Sequence, residues 1–201
     1  MAERARLGEL LRGLAPGDWE RQTGCAGWTV RDVVAHLVAW DDVLAYETPF
    51  GQARALARWT GAMAKVRFDP AGFNRRAVEQ APRAPSELLR RFEVDAGPGV
   101  RWLFERSAPG AQLAEYVVHR CDVALPLQRP VHVDDRTLAA ALDGVTRVPG
   151  LGARRLLRRR RWVATDIEWA RGHGEEVRAP ALDLLLALAG RDGGQVHTPA
   201  S

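Results

Sequence analysis

Cysteine, lysine and long apolar runs are scarce in this chain, and each scarcity excludes something. Only Cys25 and Cys121 occur among 201 residues, so no disulfide framework can be built and reduced thiols are expected. Lys65 is the sole lysine, and every other basic residue among the 29 Lys and Arg is arginine. That skew reads as the coding bias of a genome rich in G and C. No run of roughly 18 apolar residues is present, so a membrane span is not expected. The opening "MAERARLGELLRGLA" interleaves charges with leucines and has no signal-peptide apolar core, which leads us to expect the first helix of a cytoplasmic protein.

What the chain does have is 46% hydrophobic residues, enough for one sizeable core or two small ones. A net charge of +4 and a pI near 9.8 point only weakly to nucleic acid, because Asp and Glu number 25. Residues 3–14 form an amphipathic helix by the spacing of Leu7, Leu10, Leu11 and Leu14. A second helix is expected from Thr29 to Glu47. Thr29 at the N-cap and Asp32 three residues on make a capping box, and Trp28 and Val33 occupy the positions of a hydrophobic staple. Residues 51–66 read as a third helix. Between Asp69 and Pro109, Pro70, Pro82, Pro85, Gly97, Pro98 and Gly99 predict irregular chain with short helical pieces. Pro109 opens a further helix that "LPLQRP" stops near Leu125.

Beyond Pro130 the pattern changes. "DDRTLAAALDGVTRV" reads as a helix, "WVATDIEW" as a strand, "RGHG" as a turn and "EEVRA" as a second strand. "PALDLLLALAGR" is a helix with Pro180 near its start and Gly190 at its end. The fold class expected is α+β. A four-helix bundle spans residues 1–127, and a small α/β domain spans 128–201.

Three side chains stand out chemically. In "AEYVVHRCDVA", residues 114–124, Glu115 and His119 are four apart and share one helix face. His36 lies mid-helix among Val33, Val34, Leu37 and Val38, where a buried imidazole needs a partner. Inward-facing ligands from different helices can converge on a metal in a bundle core, and two histidines with a carboxylate suit zinc with a position left open. Spacing alone favours the plainer reading, core or boundary histidines. Cys25 precedes a helix start and reads as a small packed residue, as does Cys121. His132, His173 and His197 are expected to be solvated. Leu156 and Leu157 interrupt the Arg154–Arg161 run and no aromatics interleave, which favours a surface helix with one buried edge over a nucleic-acid site.

The residues also carry a resemblance. "TGCAGWTVRDVVAHLVAWD" resembles the N-terminal motif of the mycothiol-dependent maleylpyruvate isomerase family, within the DinB-like superfamily of helical-bundle metalloproteins. "LAEYVVHRCD" resembles its second motif, with Cys121 where an aromatic is usual. "ATDIEWARGHGEEVRAPALDLLLALAGR" resembles its C-terminal module, similar to sterol carrier proteins. Residues 48–108 show no match.

The resemblance implies a DinB-like bundle in which His36, Glu115 and His119 ligate a divalent metal, usually Zn2+. It implies mycothiol as thiol cosubstrate, as in actinobacteria, and an arginine of the C-terminal module in catalysis, for which Arg191 is the candidate. The expected chemistry is isomerisation or S-transfer on a small electrophile. Thiolate addition to an activated double bond, rotation and elimination would give the former. Arg191 would hold a substrate carboxylate, and Asp32 would steady an imidazole. The expected partners are a low-molecular-weight thiol and the electrophile, with no nucleic acid and no membrane, in a monomer or homodimer. The alternative is a metal-binding protein without catalysis.

Overall fold

The computed structural model describes residues 2–82, 84–94, 100–148 and 152–191. The chain has an α+β fold whose N-terminal part is helical, and it divides into two compact units, Met1–Ser107 and Ala108–Ser201. Among the described residues no helix is long and apolar enough to cross a membrane.

The first unit contains α1 (Ala2–Arg12), a 3-10 turn (Pro16–Glu20), α2 (Val30–Leu44), α3 (Pro49–Lys65), α4 (Pro70–Gln80) and α5 (Pro85–Val94). A two-stranded antiparallel ribbon joins β1 (Ala45–Tyr46) to β2 (Arg101–Trp102). Helix α2 packs against α3, α4 and α5. It starts at the expected box: the Thr29 hydroxyl oxygen accepts from the Asp32 amide, and the Thr29 amide donates to the Asp32 carboxylate. It ends three residues before Glu47, because Ala45 and Tyr46 leave the helix to pair with β2.

The expectation of irregular chain from Asp69 to Pro109 is corrected by α4 and α5. Pro70 and Pro85 are each the first residue of a helix, as Pro49 is for α3. There a missing amide hydrogen loses nothing and the fixed φ is already helical. Asp69 caps α4 by accepting from the amides of Ala71 and Gly72.

The first helix also buries charge. Arg4 and Asp41 are each 1% exposed and form an ion pair. Trp102 donates its indole N–H to the other Asp41 oxygen at 3.0 Å. The Arg4 guanidinium donates to the Phe92 carbonyl and lies 4.5 Å from the centre of the Phe92 ring. One polar knot therefore ties α1, α2, α5 and β2.

The second unit contains α6 (Ala111–Ala124), α7 (Asp135–Val145), α8 (Ala153–Arg159) and α9 (Ala181–Leu188). Its sheet comprises β3 (Arg161–Ala164), β4 (Ala170–Gly172) and β5 (Glu176–Ala179), in the order β4-β3-β5. β3 runs antiparallel to β4 and parallel to β5. The segment "WVATDIEW" is therefore not one strand. The chain turns after Ala164, whose amide donates to the Trp169 carbonyl at 2.9 Å. Trp162 and Trp169 are both buried, but burial alternates only over Arg161–Ala164 and breaks at the exposed Thr165 and Asp166.

Helix α6 shares its core with these C-terminal elements. Ala114, Val117, Val118 and Cys121 lie in one cluster with Leu138, Leu142, Trp162, Leu184 and Leu188. This is why α6, which the sequence groups with the preceding helices in residues 1–127, belongs by compactness to the second unit. The contact is close: a Cβ on Gly144 of α7 would lie 2.0 Å from the Gly110 carbonyl oxygen, just ahead of α6. Leu156 and Leu157 of α8 pack on the same core, while Arg154, Arg155, Arg158 and Arg159 are exposed.

Candidate metal centre

His36 stands in the middle of α2 and is buried. Its Nδ1 is 3.1 Å from the side-chain oxygen of Asn74, on α4. The same oxygen accepts the indole N–H of Trp40 at 2.8 Å. An indole nitrogen can only donate, so the Asn74 atom between the two rings is the carbonyl oxygen. In the neutral ring of His36, Nδ1 must then carry the hydrogen and Nε2 the lone pair. The rings of Trp28 and Trp40 meet the imidazole edge-on, with centroids 5.2 and 6.5 Å away. Asp32 puts its carboxylate on Thr29 and Arg31 rather than on an imidazole.

Glu115 and His119 lie one turn apart on α6, as their spacing requires, and Glu115 Oε2 is 3.2 Å from His119 Nε2. On its other side, His119 Nδ1 donates to Asp122 Oδ2 at 2.9 Å. Asp122 is buried, and Arg191 grips it with two hydrogen bonds. The guanidinium of nearby Arg120 donates to the His132 carbonyl.

Arg191 owes its place to the end of α9. Gly190 has φ +77, in the left-handed region. The Gly190 amide donates to Ala187 and the Arg191 amide to Leu186, a Schellman closure that reverses the chain. The guanidinium's remaining terminal nitrogen donates to the Ala189 carbonyl at 2.7 Å. All three guanidinium nitrogens are thus engaged, two of them with Asp122.

The electrostatics follow from this arrangement. Burial alone depresses the pKa of the His119 imidazolium, but the bonds from Asp122 and Glu115 outweigh it and raise the value from 6.5 to about 9. Burial likewise opposes the charge on Asp122, and His119 and Arg191 still hold its carboxyl below the usual range.

The donor set suits a divalent metal. A tetrahedral ion with bonds of about 2.0–2.1 Å holds neighbouring donors roughly 3.3 Å apart, and the Glu115–His119 pair is already near that spacing. A carboxylate on the far nitrogen of a histidine is the usual support of a metal-bound imidazole, and Asp122 supplies it.

Of the remaining residues singled out in the sequence, Cys121 is buried in the core and Cys25 is half-buried in the turn before α2. His132 and His173 are exposed. His197 lies outside the described residues. Asn74 and Asp122 are the supporting residues that spacing did not reveal. His36 lies 38 residues from Asn74 and Arg191 lies 69 from Asp122, although His119 is only three residues from Asp122.

A family model described as the mycothiol maleylpyruvate isomerase N-terminal domain matches residues 1–124. The match ends at the last residue of α6. No curated protein and no solved structure gave a match.

Proposed function

Because the chain belongs to the family of the mycothiol maleylpyruvate isomerase N-terminal domain, we propose that it is a metal- and thiol-dependent enzyme acting on a small electrophile. His36, Glu115 and His119 are the ligands in this reading, and zinc is the ion that suits two imidazoles and a carboxylate. One family model runs over all three residues. When bound, the metal supplies a Lewis acid that keeps a low-molecular-weight thiol, mycothiol, in its thiolate form at neutral pH.

The observation that carries the proposal is the state of the two imidazoles. Each has its Nδ1 against an oxygen acceptor, Asn74 for one and Asp122 for the other, so each offers Nε2 as the ligand nitrogen. Glu115 adds a negative charge to the set and moderates the acidity of whatever it binds. Arg191 serves the site through Asp122: it offsets the buried negative charge and keeps Oδ2 aimed at His119. The reaction is cis–trans isomerisation or S-transfer, in a cytoplasmic protein.

The test is metal analysis of the purified full chain, followed by a thiol-dependent turnover screen with mycothiol and a panel of electrophiles that includes maleylpyruvate. Native protein should carry about one metal per chain, and His36→Ala and His119→Ala should lose both metal and turnover. Unchanged metal content in both variants would falsify the ligand assignment. Metal without any thiol binding or turnover would support a binding protein without catalysis.

A further inference from the structure

We propose that Asn74 is the positioning residue of His36, fixing which nitrogen the ring presents to a metal. The proposal rests on the reading of His36 as a ligand and adds a residue from α4, a segment that the family model covers but in which no motif stands out from the sequence.

The argument is one of donors and acceptors. Asn74 has two chemically different side-chain ends, and a simple rotation would present its NH2 to His36 instead of its oxygen. Trp40 prevents this, because its indole N–H at 2.8 Å accepts nothing and pairs only with the oxygen. The oxygen so held meets His36 Nδ1 at 3.1 Å and requires a hydrogen there. Phe73, the residue before Asn74, stacks at a tilt on the Trp40 ring, with centroids 4.6 Å apart. The order of control runs from Phe73 to Trp40, to the amide and finally to the imidazole. Only the oxygen of Asn74 takes part, so an aspartate would serve as well and an apolar residue of similar size would not.

Three variants of the full chain separate this role from packing: Asn74→Leu, Asn74→Asp and His36→Ala. Zinc affinity is measured by competition with a chromophoric chelator, and the fold is checked by circular dichroism. The tautomer of His36 in metal-free protein is read from long-range 1H–15N spectra. Asn74→Leu should weaken zinc binding about tenfold or more and release His36 from the Nδ1–H tautomer. Asn74→Asp should stay within about threefold of the native affinity and keep that tautomer. Equal losses in both Asn74 variants would reduce Asn74 to a packing residue, and native affinity with a native tautomer in Asn74→Leu would overturn the proposal outright. If His36→Ala binds zinc as tightly as the native chain, the ligand reading falls and takes this inference with it. If His36→Ala loses zinc and Asn74→Leu does not, only the role of Asn74 falls.

Discussion

Arg191 meets Asp122 through a two-pronged contact, Nε to Oδ1 at 3.1 Å and a terminal nitrogen to Oδ2 at 2.8 Å, across 69 residues of chain. The same Oδ2 accepts from His119. One carboxylate thus connects the end of α9 to a candidate ligand of α6, and it is neutralised from both sides. Replacing Asp122 with Ala removes the acceptor from His119 Nδ1 and leaves Arg191 facing a gap. Zinc affinity should fall by about 10–100-fold, and urea unfolding should show a loss of a few kcal/mol. Arg191→Ala should weaken zinc binding less, because Asp122 keeps its bond to His119. Chelator competition on the two purified variants checks the order.

The protonation of His119 makes the metal-free protein sensitive to pH. Its folded pKa is raised from 6.5 to about 9, so the stabilisation it contributes is complete below about pH 6.5 and disappears as pH rises through about 9. Asp122 is shifted the other way, below its ordinary 3.8. Its contribution is present above that value and is lost as pH falls beneath it. Chelator-treated protein should therefore be most stable between about pH 4 and 6.5 and lose stability steadily towards pH 9. In the proposed site zinc displaces the proton on His119 Nε2, so apparent zinc affinity should rise across the same upper range, with close to one proton released from this residue per metal at pH 7. Urea titrations across pH and calorimetry in buffers of different ionisation heat measure the two effects. A flat profile from pH 6.5 to 9 would contradict the assignment.

How much of this could be read from the sequence depends on how far apart the partners stand. Thr29 and Asp32 are three residues apart, and their box lies where the sequence puts it. Glu115 and His119 are four apart, and helical geometry alone brings them together. Asn74 escaped because its partner His36 arrives through tertiary packing, on which periodicity is silent; Asp122 is only three residues from His119, and tertiary packing hid just its contact with Arg191. The prolines misled for a local reason. Pro70 and Pro85 look like breaks in a run of residues, yet each is a first helical residue, and Asp69 directly before Pro70 is the N-cap that could have signalled it. In "WVATDIEW" period-two burial holds only as far as Ala164; the exposed turn that follows returns Trp169 to the core that Trp162 also joins, which a single strand could not do seven residues on.

Two glycines should respond in opposite directions to the same substitution. Gly144→Ala places a Cβ 2.0 Å from the Gly110 oxygen and 2.2 Å from its carbonyl carbon, so backbone must move at the start of α6, which carries the candidate ligands Glu115 and His119. A loss of roughly 2–3 kcal/mol is expected from overpacking, with weaker zinc binding as α6 shifts. Gly61 lies exposed within α3, and its added Cβ would meet nothing within 4 Å. Gly61→Ala should gain up to about 1 kcal/mol from helix propensity. Thermal unfolding of both variants beside the native chain measures the contrast.

The Arg4–Asp41 pair sets a last expectation, one that concerns the frame of the first unit. Both side chains are 1% exposed, and Asp41 follows His36 on α2 by five residues. Asp41→Ala strands the Arg4 guanidinium in the interior and removes the acceptor of the Trp102 indole. Breaking a buried pair from one side costs about 3–5 kcal/mol, because the remaining charge has lost its compensation. Replacing both partners with apolar residues, Arg4→Met with Asp41→Leu, removes the stranded charge and should recover a large part of that loss. Trp102 would still lack its acceptor, at a cost of about 1–3 kcal/mol. Urea unfolding of the single and double variants decides the matter: a double variant no more stable than Asp41→Ala would mean that the pair contributes net stability rather than only the geometry of α1 against α2.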